Sequence, residues 1–330
     1  MNDRQQFILK RLGLTLVSLY LIITVLFLLF RVMPGSPTSQ VMSMSMSPAD
    51  RAQLQAQYGL DEPLYTQYVL YMKNLLTGKL GISFLNNKPV LGIVLDGAIN
   101  TLSIALPSVI LAFTLGPIIG VYIASHRGSL MDDTLTSAVL TSYAAPVFWS
   151  GMLLLMLFSF TLGWLPSSGM HSPGYISTSL VERFVSVDFL RHAILPIVVF
   201  TAWWLSIPTL IMRNNVVEVL TSDFIQLQRT EGLSNTSILY RHAARNALLP
   251  VLHRAALAVA VAFSGSVIIE VLFSWPGLGR IIWRSTLRQD YPLAQGSFFF
   301  VAIIVITMNY IADVVSVYVD PRIAVEEEQA

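Results

Sequence analysis

The stretch TSDFIQLQRTEGLSNTSILYRHAARNALLP, residues 221–250, is a charged island between two long apolar segments, and we call it the elbow. It carries too many arginines to lie in hydrocarbon, because a charged side chain at the centre of a bilayer is costly. Its apolar residues follow a helical period that is interrupted at the sequence Gly-Leu-Ser, residues 232–234. The pattern predicts two short helices joined by a glycine, with a surface that contacts either a partner protein or lipid headgroups.

The composition of the whole chain indicates a membrane protein. Of its 330 residues, 54% are hydrophobic and 12% are charged, and the mean hydropathy is +0.65. Soluble domains average about 25% charged residues. The net charge of +1 argues against nucleic acid as a partner, since nucleic-acid-binding proteins carry a concentrated basic face. The lack of cysteine excludes disulfides, thiolate metal sites and a cysteine nucleophile.

Six apolar stretches are long enough to cross about 30 Å of hydrocarbon as helices. We predict spans at residues 14–33, 99–124, 134–162, 194–212, 251–273 and 297–318. The third stretch is unusually long and is interrupted at Pro146. The stretches are continuously apolar and do not alternate as barrel strands do. The predicted fold class is therefore an all-α polytopic membrane protein with a helical core at residues 99–318.

The basic residues Arg4, Lys10 and Arg11 set the predicted orientation, because positive charge favours the cytoplasmic side. The first span exceeds the length of a signal-peptide core and lacks a cleavage site, so we expect it to stay in the mature chain. Both termini are then cytoplasmic, and a large extracytoplasmic loop follows the first span. The topology assigns residues 1–13, 213–250 and 319–330 to the cytoplasm, and residues 34–98 and 274–296 to the outside.

Within the elbow, capping residues predict where each helix begins and ends. Ser222 can cap a helix at residues 223–231, which Gly232 then ends. Ser234 can cap a second helix at residues 235–249, which Pro250 closes. On this second helix Arg241 and Arg245 share one face. The elbow is either a compact element that transmits movement from a cytoplasmic partner or an element that lies on the headgroups.

The order of short motifs along the chain resembles a known family. The motifs are RVMPGSP at 31–37, YGLDEPL at 58–64, LGIS at 80–83, PVFW at 146–149, LGWLP at 162–166, the elbow itself, FSWPGLGR at 273–280 and DYP at 290–292. Together they resemble the dipeptide, oligopeptide and nickel branch of the bacterial ABC importer permeases. The resemblance extends from about residue 8 to residue 322.

The resemblance implies a type I ABC importer permease fold with six transmembrane helices. It implies four kinds of partner: a homologous second permease, two ABC ATPase subunits, an extracytoplasmic solute-binding protein and the lipid bilayer. ATP and Mg²⁺ would be bound by the ATPase subunits, since this chain has no G-x-x-x-x-G-K-[ST] phosphate loop. We expect no cofactor, metal site or catalytic residue in this chain. The expected substrate is a di- or oligopeptide, with a nickel complex or another small solute as the alternative.

The resemblance also assigns roles to residues. ATPase coupling is assigned to Asp223, Phe224, Gln228, Arg229, Glu231, Gly232, Ser234, Arg241 and Arg245. Candidates for a gate or for contact with the binding protein are Glu270, Trp275, Arg280 and Arg284. For Glu270 the alternative is an ordinary interfacial role. For Arg280, Arg284 and Arg288 the alternative is that they snorkel to phospholipid headgroups. Their position outside runs against the positive-inside rule but does not reverse the predicted orientation.

Some positions depart from the family's pattern. Ser36 stands where the family usually has an acidic residue, and Glu231 replaces a common lysine in the elbow. We therefore expect partner specificity to depend on Gln228 and Glu231. A further run, Met42, Met44 and Met46, is either a set of soft metal ligands or an apolar edge against the membrane.

An ion-coupled secondary transporter is the alternative from a different class. Such a protein would place coupling carboxylates or broken helices near the midplane of the membrane and often show an internal repeat. The sequence shows neither a repeat nor a midplane acidic cluster. An intramembrane enzyme would need a nucleophile and a base, or paired acids, at membrane depth, and none is evident.

Overall fold

The computed structural model of the chain describes residues 3–32 and 62–319. Its helices are α1 (Asp3–Val32), α2 (Leu64–Leu76), α3 (Val90–Ser125), α4 (Leu130–Ala144), α5 (Val147–Leu154), α6 (Leu180–Val185), α7 (Val187–Val219), α8 (Asp223–Thr230), α9 (Asn235–Ser237), α10 (Ala244–Gly265), α11 (Val267–Leu272), α12 (Leu278–Leu287) and α13 (Tyr291–Val319). Leu155–Thr161 and Ile238–Ala243 are π-helical turns that extend α5 and join α9 to α10. The described residues contain no β-strand, although Ile82 and Pro89 form an isolated antiparallel bridge.

Several features predicted from the sequence lie outside the described residues. They are the methionines Met42, Met44 and Met46, the departure at Ser36, and the tail from residue 320 onward. The predictions made for them stay predictions.

Serine side chains begin three of the helices. Ser129, Ser179 and Ser186 occupy the N-cap positions of α4, α6 and α7, and each accepts a hydrogen bond from the backbone N–H three residues on. All three helices also carry an acidic residue in the first turn, where the helix dipole favours negative charge. These local signals fix where the chain turns from loop into helix.

Four helical segments are long and apolar enough to cross a membrane: Arg4–Arg31, Val90–Ser125, Val187–Val219 and Tyr291–Val315. The pair Leu130–Ala144 and Val147–Thr161 would supply a fifth, but its two halves are bent by 101°. The bend falls at Pro146, as predicted, so the third apolar stretch consists of two helices and not of one. Pro146 begins the second of them, because its fixed φ suits a helix start and its missing N–H is not needed there.

The segment predicted as the fifth span, residues 251–273, is not one helix. Helix α10 ends at Gly265, and α11 begins only at Val267. The amino-terminal half of α10 carries Arg245 and Arg254, which lower its apolar character. Helices α3, α7 and α13 extend past the predicted spans at both ends, because the hydrogen-bonded backbone continues into the flanking residues.

The chain divides into two compact units. The first contains the described residues up to Asn100 together with those from Gly277, and the second contains Thr101–Pro276. In the first unit α13 packs against α1 and α12. Phe7 meets Val317 at one end of this pairing, and Phe30 packs with Tyr291 and Ala294 at the other.

The second unit is organised around α7, which contacts α4, α5, α6 and α10. Its largest cluster of buried side chains includes Phe200 and Trp204 of α7, with Ile104 of α3 and Trp275 after α11. The rings of Phe189 and Trp275 pack edge to face at a centroid distance of 5.7 Å. Burial of such aromatic side chains supplies the main packing energy of the unit.

Two glycines let α3 approach α7 closely within this unit. A Cβ atom at Gly116 would lie 2.7 Å from Cγ of Pro208, and one at Gly120 would lie 2.5 Å from the carbonyl oxygen of Thr209. The neighbour of Gly120 is backbone and cannot rotate away. Spacing small residues four apart is a common way to bring two membrane helices into contact.

Replacing Gly120 with alanine is expected to lower the free energy of unfolding by about 1–3 kcal/mol, since the two backbones must separate to admit the methyl group. Thermal unfolding in detergent measures the effect. Gly92 lies on the same helix, and a Cβ atom added there would have no neighbour within 4 Å. Gly92→Ala is therefore the control, and it should be neutral or stabilise the protein by about 0.5–1 kcal/mol. Equal losses in the two variants would contradict the close approach.

Candidate functional site

The first helix of the elbow, α8, ends in a glycine turn as the sequence predicts. Gly232 has a φ of +82°, a conformation that residues with a side chain rarely adopt. Its N–H donates to the carbonyl of Arg229 at 3.1 Å, and the N–H of Leu233 donates to the carbonyl of Gln228 at 3.2 Å. This pair of bonds is a Schellman motif, which satisfies the last carbonyls of the helix.

The predicted cap of α8 is only partly right. Ser222 occupies the N-cap position, but its side chain makes no capping bond. Its hydroxyl instead donates to the carbonyl of Val219 at 2.6 Å. The serine therefore ties α8 back to the end of α7, which sequence spacing alone does not reveal.

The second half of the elbow begins at Ser234, whose side chain accepts from the N–H of Ser237 at 3.3 Å, as predicted. The predicted helix end at Pro250 is wrong, because α10 continues through this proline to Gly265. A membrane helix tolerates proline where neighbouring groups satisfy the freed backbone. In the turn before Pro250, Nδ2 of Asn215 donates to the carbonyl of Ala247 at 3.3 Å, which joins α10 to α7.

A small buried core holds the two halves of the elbow together. Ile225, Ile238 and Ala243 are all at most 1% exposed and pack against one another, with Val219 and Leu220 of the α7 end at their border. Apolar burial of this kind gives two short helices a fixed relative position, which their backbone hydrogen bonds alone would not do.

Gln228 contributes to this internal packing. It is half-buried, and its Nε2 lies 3.0 Å from Nδ1 of His242, which bridges α8 to the π-helical turn. For this amide to donate, Nδ1 of His242 must be unprotonated. The sequence pattern predicted Gln228 to be a determinant of partner specificity, whereas the structure assigns its amide a contact inside the elbow.

The other residues proposed for ATPase coupling lie on the surface. They are Asp223, Phe224, Arg229, Glu231, Gly232, Ser234, Arg241 and Arg245. Exposed apolar side chains lie among them, namely Leu227, Leu233 and Tyr240. Leu227 is 61% exposed although it lies on a helix whose Ile225 is fully buried. The elbow thus presents an apolar surface with charges around it. The sequence could have indicated this surface, because the elbow contains more apolar residues than its buried core uses.

The elbow is anchored to three long helices of its unit. Val121 and Ala124 of α3, Met212 and Val216 of α7, and Ala247 and Val251 of α10 form one buried cluster beside it. Nearby, the guanidinium of Arg213 donates from Nε and Nη2 to the two carboxylate oxygens of Asp132, each at 2.9 Å. This two-pronged contact joins α7 to the first turn of α4. The elbow therefore packs directly against α3 and α7, and the ion pair links α7 to α4 beside it.

Removing the carboxylate with Asp132→Ala is expected to lower the free energy of unfolding by about 2–3 kcal/mol. Loss of one partner in a buried pair costs about 3–5 kcal/mol, and the partial exposure of Arg213 reduces that value. Chemical unfolding of the purified protein measures it. The exposed neighbour Asp133→Ala serves as the control and should change stability little. A double-mutant cycle with Arg213→Gln that shows no coupling between the two sites would refute the proposed role of the pair.

The four candidates for a gate or binding-protein contact lie in different environments. Glu270 is fully buried and accepts hydrogen bonds from Oγ1 of Thr101 at 2.7 Å and from Oγ of Ser266 at 2.8 Å. Trp275 is also fully buried, and its backbone N–H donates to the carbonyl of Glu270 at 2.8 Å. Arg280 is half-buried, and only Arg284 is exposed.

A buried hub in the first unit was missed by reasoning from the sequence. The carboxylate of Asp290, 1% exposed, accepts from Oγ of Ser83 at 2.5 Å and from the backbone N–H groups of Phe84, Leu85 and Leu293 at 3.1–3.3 Å. It thereby fastens the turn after α2 to the start of α13. The two motifs LGIS and DYP, which are more than 200 residues apart, meet at this carboxylate.

Two protein-family models together match most of the chain. The family model described as "Binding-protein-dependent transport system inner membrane component" matches residues 116–325, and the model of the corresponding N-terminal region matches residues 4–105. The chain is 36% identical to the di/tripeptide transport system permease protein DppB of Pseudomonas aeruginosa, over 96% of this chain and 98% of that protein. It is 34% identical to the oligopeptide transport system permease protein AppB of Bacillus subtilis, over 94% of each.

A third relative is the dipeptide transport system permease protein DppB of Escherichia coli strain K12, 36% identical over 96% of this chain and 98% of that protein. Among solved structures, an inward-facing form of the MetNI methionine ABC transporter contains a similar chain, with a TM-score of 0.50 and 16% identity. The match covers 69% of this chain and 97% of that one. At this identity the likeness establishes a shared fold and nothing more.

Proposed function

Because the chain belongs to the family of binding-protein-dependent transport system inner membrane components, we propose that it is the transmembrane permease subunit of an ATP-driven ABC importer. It forms half of the translocation path for a solute that an extracytoplasmic binding protein delivers. The proposed substrate is a di- or oligopeptide, which the names of the relatives in Pseudomonas aeruginosa, Bacillus subtilis and Escherichia coli support.

The chain is a multi-pass protein of the bacterial inner membrane, as its family and its long apolar helices indicate. We propose that it crosses the membrane six times with both termini in the cytoplasm. The bent pair of α4 and α5 supplies the third crossing, and α10 with α11 supplies the fifth. The elbow is then cytoplasmic, while the loop after α1 and the loop around α12 face outside.

The elbow is the proposed docking site for an ATPase subunit. The observation that carries this proposal is its apolar surface: Phe224, Leu227 and Leu233 stay exposed although the segment beneath them has its own buried core. Two ATPase subunits bind ATP and Mg²⁺, one against this chain and one against a homologous second permease. Nucleotide-driven movement of the elbow shifts the helices between outward-open and inward-open packings, an alternating-access cycle.

Copurification and uptake together test the proposed function. A tagged full-length chain should bring down an ATPase subunit, and reconstituted vesicles with the binding protein should accumulate a labelled dipeptide only when ATP is supplied. Uptake driven by an ion gradient without ATP would favour the ion-coupled secondary transporter instead. Competition by a nickel complex, with none by unlabelled dipeptides, would favour the alternative substrate.

Charge reversal at Glu231 is expected to weaken coupling, because the partner surface is proposed to match this residue and not the lysine common in the family. Glu231→Lys should reduce the solute transported per ATP hydrolysed by about fivefold or more. Parallel assays of dipeptide uptake and phosphate release measure this ratio. Glu218→Lys, at the end of α7, is the control. Wild-type transport with unchanged ATPase activity in the Glu231 variant would count against the proposed contact.

A further inference from the structure

The first unit encloses a cavity of about 310 Å³ that the transport proposal leaves unexplained. Its walls come from the end of α1, from α2, from the turn that follows α2 and from the first turns of α13. Cavities of this size are large enough to hold small ligands.

The polar part of the lining favours an anion. Among the described residues that line the cavity, two are cationic, Arg31 and Lys79, and none is acidic. Arg31 is half-buried and lies over the ring of Phe27 at 5.4 Å. No carboxylate pairs with it in the described part of the chain. A guanidinium held in this way is a good ligand for the paired oxygens of a phosphate.

Neutral hydrogen-bond donors complete the polar wall. Asn74 and Gln295 contribute amides to the lining, and Tyr71 contributes a phenol. Burial raises the pKa of Tyr71 to about 12, so its hydroxyl keeps its proton and can donate. These groups can stabilise negative charge without adding a competing negative charge of their own.

The rest of the lining is apolar. Leu70 and Leu75 of α2, Leu80 of the following turn and Phe84 form this part of the wall. A small inorganic anion would gain nothing from these side chains. A molecule with an anionic head joined to hydrocarbon would use both parts of the cavity.

The cavity lies beside the end of an apolar helix that is long enough to span a membrane. Arg31 is in the last turn of the apolar helix α1, and Leu28 and Leu29 of the same turn are about half exposed, as lipid-facing residues are. Tyr65 and Val69 of α2 are more than 60% exposed and lie one turn apart, which gives α2 an exposed apolar face of the kind that contacts a membrane surface. Both elements that border the cavity are therefore in reach of phospholipid.

We propose that this cavity binds an anionic phospholipid, with the phosphate on Arg31 and Lys79 and the start of an acyl chain on the leucines and Phe84. The lipid would fill the space between α1, α2 and α13 and link the turn after α2 to the bilayer. Occupancy of this site can be measured without transport.

Lipid retention tests the proposal. The full-length chain, with its copurifying subunits, is placed in nanodiscs of phosphatidylcholine with increasing phosphatidylglycerol and examined by native mass spectrometry. The double variant Arg31→Gln with Lys79→Gln should need about tenfold more phosphatidylglycerol for the same retention. Lys73→Gln is the matched control, because Lys73 is an exposed base on α2 that does not line the cavity. Arg31→Lys keeps the charge but loses the paired donors, so its phosphatidylglycerol retention should fall between that of the double variant and that of the control.

Three outcomes would overturn the proposal. The first is equal phosphatidylglycerol retention in the double variant and the parent, with both shown to be folded by thermal unfolding. The second is complete displacement of the retained lipid by inorganic phosphate, which would identify a site for small anions. The third is displacement by a dipeptide, which would make the cavity a substrate site.

Discussion

Asp290→Ala is expected to lower the free energy of unfolding by about 3 kcal/mol or more. The substitution leaves the Ser83 hydroxyl and the N–H groups of Phe84, Leu85 and Leu293 without the acceptor they share. Ser83 is 0% and Phe84 7% exposed, so water has little access to replace the carboxylate. Each buried donor left unsatisfied costs about 1–3 kcal/mol. Chemical unfolding of the purified protein measures the loss.

Three further variants make this result specific. Asp290→Asn keeps the shape and one acceptor oxygen, so it should lose less stability than alanine. Ser83→Ala removes only one donor and should lose less stability than either substitution at Asp290. The exposed acid Asp96, in the same unit, should change stability by less than about 0.5 kcal/mol when replaced by alanine. Parental stability in Asp290→Ala would mean that the hub does not hold the turn to α13.

Ile225→Ala is expected to reduce ATP-driven uptake by about tenfold or more. The largest increase in amide hydrogen exchange should be in the elbow itself. Truncating a fully buried isoleucine costs about 2–5 kcal/mol, and a surface segment as short as the elbow has little stability to spare. The contact between Ile225 and Ile238 fixes α8 against the π-helical turn that leads into α10, so its loss lets the docking surface move without moving the helices. Uptake and ATP hydrolysis are measured together, and hydrogen exchange reports on the amides of the elbow.

Ile225→Val separates packing from any other effect, since it removes one methylene at a cost of about 0.5–1.5 kcal/mol. It should retain most of the uptake. Gln226→Ala, at the exposed neighbouring position, should leave hydrogen exchange in the elbow unchanged. If Ile225→Ala speeds exchange yet transports normally, the elbow does not carry the coupling movement.

Local signals in the sequence predicted several of the turns, caps and helix breaks of this fold. Gly232, Ser234 and Pro146 each act on the residues next to them, and the structure confirms the turn, the cap and the break that they predict. The helix end at Pro250 was wrong, because a membrane helix can continue through a proline. The contacts that hold such a helix come from distant residues: Asn215, more than thirty residues away, bonds the turn before Pro250, and no local pattern reveals this.

The parts of the candidate site that the sequence did not reveal depend on distant contacts. In the sequence Asp290 is only a turn residue before a helix, and its role becomes clear once Ser83 lies beside it. Arg213 is likewise only one of several arginines near the elbow until the structure places Asp132 beside it. The sequence predicted that partner specificity depends on Gln228, but a departure from a family pattern does not say which way a side chain points, and its amide also contacts His242 inside the elbow. Periodicity identifies the buried face of a helix, but the π-helical turn Ile238–Ala243 changes that period within the elbow.

The close approach at Gly120 has a consequence for how motion in this protein can be observed. The backbones of α3 and α7 touch there, and a packed contact of this kind does not deform gradually. A pair of spin labels on the exposed sides of these two helices should therefore report a constant distance in every nucleotide state. Such a pair would give a fixed reference distance. Label pairs elsewhere in the same unit whose distances change would then report motion at other places, such as the bend at Pro146.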